Sequence, residues 1–105
     1  MSDPKSIFLV DIEYIAETDA VMAQLDAHME FVGAGFANGD FLVAGRKMPR
    51  TGGVILARGT SKAAVEELMA NDPFATSGVA QITVTEFWAG TVQDGLAEAL
   101  NAALI

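Results

Sequence analysis

The sequence predicts an α+β domain in which two helices lie on one face of a four-stranded antiparallel sheet. Three observations carry that expectation. Strand-like and helix-like periodicities follow one another in the order β-α-β-β-α-β. The two middle strands are joined by a short polar loop, whereas each of the other connections contains a helix. Right-handed crossovers then place both helices on the same side of the sheet. This is the split-βαβ, ferredoxin-like arrangement.

Each element has its own signal. "IFLVDIEY" (7–14) is rich in β-branched and aromatic residues and forms the first strand. Phe8, Val10, Ile12 and Tyr14 share one face; Ile7, Leu9, Asp11 and Glu13 share the other. Thr18 or Asp19 is placed to cap the following helix by accepting bonds from its free N–H groups. In that helix Met22, Leu25, Met29, Val32 and Phe36 recur at three- and four-residue steps, the spacing of a core stripe. "ANGD" ends it, with Asn38-Gly39 as a left-handed cap. "FLVA" (41–44) and "GVILAR" (53–58) are the middle strands. Thr60 or Ser61 caps the second helix, which turns Ala64, Val65, Leu68 and Met69 inward. "NDPFATSG" stops it, because the residue before a proline is pushed away from helical angles. "VAQITVTEFWAG" (79–90) is the last strand, and "DGLAEALNAALI" reads as a short C-terminal helix over about 92–104. The expectation is one domain over residues 1–105 with its core in 7–90.

Composition narrows the function. A chain of 105 residues, 51% of them apolar and with six Phe and one Trp, can build one compact core. A net charge of −8 with only six Lys and Arg lacks the basic surface that nucleic acid or an anionic membrane requires. Without cysteine there is no thiolate nucleophile and no Cys-based metal centre. "MSDPKSIFLV" holds four consecutive apolar residues, too few for a signal-peptide core, and no apolar run has the length of a membrane span, so the expected location is cytoplasmic. The strands are apolar on both faces while two helices cover only one. A partner sheet is the simplest cover, which predicts a homodimer; the C-terminal helix folded over part of that face is the alternative.

Few residues offer chemistry. His28, the only histidine, sits in "DAHMEF" about 70° from the centre of the core stripe. That position suits a half-buried flank residue bonded to a carbonyl, or a ring held by packing at the edge of a crevice. Asp72 precedes Pro73 and suits the N-cap of a short turn. Arg46, Lys47 and Arg50 put three of the six cations in the loop between the middle strands. They are either a solvated hairpin or an anion site, and Arg46, at the strand end, is the best placed. Phe74 and Trp88 are either core or the walls of a pocket. One histidine with scattered carboxylates makes a poor metal site. The "GAG" at 33–35 lies inside a helix and matches no nucleotide fingerprint, and G-x-S-x-G does not occur.

The succession "HMEF", "NGDFLVAG", "TGGVILARG" and "NDPFATSGVAQITVTEFW", over residues 7–88, resembles the YciI-like family of dimeric ferredoxin-like proteins, the dimeric α/β barrel type. The resemblance implies that His28 and Asp72 meet in a pocket as a catalytic His–Asp pair. Position alone, not the resemblance, puts Arg46 and Phe74 on the substrate side: Arg46 if its loop folds toward that pocket, where it would bind a carboxylate or phenolate, and Phe74 as a wall. The resemblance departs at Ala44-Gly45-Arg46, where many members carry Ser-Gly-Pro: a hydroxyl is lost and a cation gained. A carboxylate that accepts the N–H of one imidazole nitrogen fixes the tautomer and makes the other nitrogen a proton acceptor. The implied function is an enzyme of small molecules that works by proton transfer, with no cofactor and no metal. Its most concrete form is a lyase that removes chloride from a chlorinated hydroxyhydroquinone in aromatic degradation. A muconolactone-type isomerase, a cofactor-free monooxygenase and a non-catalytic ligand-binding or accessory module are the alternatives.

Overall fold

The computed structural model describes residues 6–96 and 98. Its elements are β1 (Ser6–Tyr14), α1 (Thr18–Ala23), α2 (Leu25–Asn38), β2 (Phe41–Arg46), β3 (Gly52–Ala57), α3 (Lys62–Met69), α4 (Pro73–Thr76) and β4 (Ala80–Trp88). The strands form one antiparallel sheet in the order β2-β3-β1-β4. The fold is ferredoxin-like. Most of the expected C-terminal helix, about 92–104, lies outside the described residues.

Alternation along β1 builds the core. Phe8, Val10 and Ile12 point to the helices and are at most 2% exposed, joined by Ile55 and Ala57 of β3 and Val84 of β4. Val21 of α1, Val32 of α2, and Val65 and Met69 of α3 close the layer from above. Each of these side chains larger than alanine contributes about 1.5–3 kcal/mol by leaving water. Ser61 is the cap of α3: its hydroxyl accepts from the Ala64 N–H at 3.0 Å. Gly39 ends α2 at φ 84°, in the left-handed region that favours glycine.

The first helical segment departs from expectation in two ways. Neither Thr18 nor Asp19 caps it; both lie inside α1, whose N-cap Glu17 makes no side-chain capping bond. The segment is also not one helix. It breaks at Gln24, yet the buried face keeps one helical spacing across the break and lies one position round from the expected stripe. Val21, His28, Val32 and Gly35 are the buried residues, while Met22, Met29 and Phe36 of the expected stripe are 43%, 54% and 43% exposed. His28 is therefore on the packed face of α2 rather than at its margin.

Candidate active site

Asp72 is held by the turn that the proline imposes. Pro73 occupies the first position of α4, Asp72 is its N-cap, and one carboxylate oxygen, Oδ1, accepts the Phe74 N–H at 2.9 Å. The carboxylate is fully buried. A buried anion without a partner is strongly unfavourable, and the partner here is His28. Its Nδ1 lies 2.9 Å from Oδ1 and 3.0 Å from Oδ2 of Asp72. An ionised carboxylate only accepts, so Nδ1 carries the proton and donates. Nε2, on the opposite edge of the ring, has no hydrogen-bond partner among the described residues.

Packing fixes the ring as firmly as the hydrogen bonds do. The Phe74 ring stacks on the imidazole at 3.9 Å between centroids and 6° between planes, and Tyr14 meets Phe74 edge-on at 5.7 Å. Phe74 thus acts twice on the pair. Its backbone N–H holds Asp72, and its ring holds His28 flat.

Of the pair, His28 faces a cavity of about 300 Å³ between α2 and the β1–β3–β2 part of the sheet. His28 and Met29 line it from α2, Ile12 and Tyr14 from β1, and Arg46 and Arg50 from the end of β2 and the loop after it. Most of the remaining lining is aliphatic or glycine, which suits a small ligand with an apolar body.

The structure brings His28, Asp72, Arg46 and Phe74 to one place. Phe74 also borders the cavity, but it is only 1% exposed and belongs to the hydrophobic core. Trp88 does not belong there. It pairs with Ser6 at the far end of β1 from Tyr14 and is 66% exposed. Lys47, between the two arginines in sequence, bonds Asp11 at 2.7 Å and does not line the cavity. Tyr14 and Met29 were not expected at a site. The signal for Tyr14 was its position two residues beyond Ile12 on the same strand face.

Residues 6–88 match the family model described as YCII-related domain. The chain belongs to the YCII-related family. No curated protein matches the sequence. Among solved structures this YCII-related protein is similar to 5-chloro-2-hydroxyhydroquinone dehydrochlorinase of Burkholderia phenoliruptrix AC1100, in complex with 2,5-dihydroxybenzoquinone. The TM-score is 0.60 at 18% identity, and the match covers 87% of this chain and 97% of the other. At that identity the likeness is one of fold.

Proposed function

We propose that the protein is a cofactor-independent lyase in which His28 and Asp72 are the general acid–base pair, acting on a chlorinated hydroxyhydroquinone. One observation carries the reading: a lone histidine bonded through Nδ1 to a buried carboxylate lines a mostly apolar cavity. A proton acceptor built this way supplies about 10²–10⁴-fold in rate. The ligand named for the structural neighbour, a hydroxylated quinone, has the size and flatness that such a cavity takes.

Elimination of HCl from this substrate has a definite proton balance. His28 Nε2 takes a hydroxyl proton and returns it to the chlorine-bearing carbon, which becomes tetrahedral. Loss of a second hydroxyl proton pushes an electron pair through the ring to that carbon, and chloride leaves. Two hydroxyl protons are lost and one is gained on carbon, so the products are a hydroxyquinone, a proton and chloride. Asp72 holds the imidazolium between the steps, and Arg46 steadies the oxygen on which charge develops. The reading includes a homodimer that covers the second sheet face, where Leu9, Val43 and Phe87 are 39%, 59% and 44% exposed.

The test is chloride release from 5-chloro-2-hydroxyhydroquinone under anaerobic conditions without added reductant, followed with an ion-selective electrode. The wild type is expected to release chloride stoichiometrically with quinone, and His28→Ala to fall to the background rate. A wild-type rate equal to background overturns the reading.

A further inference from the structure

Three cations stand within five residues of one another in a chain with fourteen carboxylates, yet their fates differ. Lys47 is neutralised by Asp11, 2.7 Å away. Arg46 and Arg50 line the cavity, and neither forms a salt bridge with a carboxylate among the described residues. Alternation along β2 explains Arg46. It pairs with Gly53, which pairs with Ile12, so it stands in the row of the sheet that faces the helices. Arg50 borders the same cavity from the loop, next to Thr51, whose carbonyl accepts from the Tyr14 N–H at 3.0 Å. Glycine at 45, 52 and 53 lines this end and leaves it without bulky side chains of its own.

Two arginines without a carboxylate partner among the described residues, at the wall of a mostly apolar cavity, exceed what one transient oxyanion needs. We infer that Arg46 and Arg50 form a two-armed receptor for a planar anion whose charge is shared by two oxygens. The ligand class is a ring carboxylate or its vinylogous equivalent, the ionised hydroxyquinone. In both, a hydroxyl oxygen is conjugated to a carbonyl oxygen, so the charge spreads over two acceptors that guanidinium groups match well. The inference rests on the cavity being the ligand site, as in the proposed function, but not on any reaction taking place there. If the lyase reading holds, the receptor favours the hydroxyquinone product over its less acidic precursor and draws charge forward along the reaction.

The test is ligand binding by NMR, read on the His28 imidazole signals. Two anions, benzoate and 2,5-dihydroxybenzoquinone, are titrated against neutral counterparts, benzamide and the dimethyl ether of the quinone. The variants are Arg46→Gln, Arg50→Gln and Lys47→Gln. All three remove one positive charge, and only the last removes it away from the cavity. The wild type is expected to bind the anions at least about tenfold more tightly than the neutral partners, with each arginine variant losing about tenfold for the anions alone and Lys47→Gln nearly unchanged. Preference for benzoate alone assigns the carboxylate, and preference for the quinone alone assigns the vinylogous acid. Equal binding of anion and neutral partner, or an equal loss in Lys47→Gln, overturns the receptor and leaves the cavity as the ligand site. Failure of all four compounds to move the His28 signals overturns both.

Discussion

The two oxygens of Asp72 are not equivalent, and this decides what a conservative substitution does. Oδ1 accepts from both the Phe74 N–H and His28 Nδ1, whereas Oδ2 accepts from His28 alone. In Asp72→Asn the amide oxygen is held by the Phe74 N–H, which needs an acceptor. The NH₂ group then takes the place of Oδ2, against Nδ1. A donor there opposes the Nδ1 proton and favours the tautomer in which Nδ1 accepts from the amide and the ring proton sits on Nε2. The base becomes unavailable although the packing around it persists, as in catalytic triads where an asparagine stabilises the wrong tautomer. We expect the imidazole ¹⁵N shifts to report Nδ1–H in the wild type and Nε2–H in the variant, with activity down about 10²–10⁴-fold. Retention of Nδ1–H in the variant contradicts this account. With one histidine in the chain the signals assign themselves. Asp72 was legible in the sequence as a cap before proline, and it is one. That the same carboxylate also meets a ring 44 positions away is a matter of topology, which a local pattern does not encode.

At the level of elements, α2 shows where periodicity misleads. Counting apolar residues puts Met22, Met29 and Phe36 inside, but the packed stripe runs one position round, through Val21, His28, Val32 and Gly35, and an exposed methionine is little penalised. What the helix does demand is Gly35. A Cβ there would run into the Phe41 ring, itself only 3% exposed, so α2 can lie this close to β2 only without a side chain at that position. Gly33, one residue removed by a single alanine, has nothing within 4 Å of its hypothetical Cβ. The same substitution should therefore act with opposite sign on one helix. Alanine at either position gains about 1 kcal/mol in helix propensity. At Gly35 the collision costs about 1–3 kcal/mol and forces α2 or Phe41 to move. Gly33→Ala is expected to raise the urea midpoint and Gly35→Ala to lower it, with unchanged slopes. A stabilised Gly35→Ala would show that the helix–sheet contact yields more easily than its geometry implies. The β-hairpin and Ser61 cap, by contrast, were readable from local chemistry, because their partners are near in sequence.

For the whole molecule, the order of elements fixed which face of the sheet the helices take, and the composition of the strands pointed to what remains. Leu9 pairs with Leu56 and Thr85, and Val43 pairs with Leu56, giving an apolar band across β2, β3 and β1 on the face away from the helices. Asp11 and Glu13 continue β1 on that face, and Asp11 is already matched by Lys47. A second copy, presenting the same band, is the occupant the proposed function assigns to it, since a two-fold interface requires a self-complementary patch. The long-range electrostatics oppose that assembly, because each copy carries −8. An interface held by apolar contact between like-charged copies tightens as salt screens their repulsion, whereas one held by ion pairs loosens. Sedimentation equilibrium is therefore expected to show a dimer whose dissociation constant falls on going from low to physiological ionic strength. Leu9→Glu, which points away from the core and leaves the β1 hydrogen bonds intact, should give a monomer with an unchanged far-ultraviolet spectrum. A wild-type monomer at all concentrations, or a dimer that salt weakens, removes the second copy from that face.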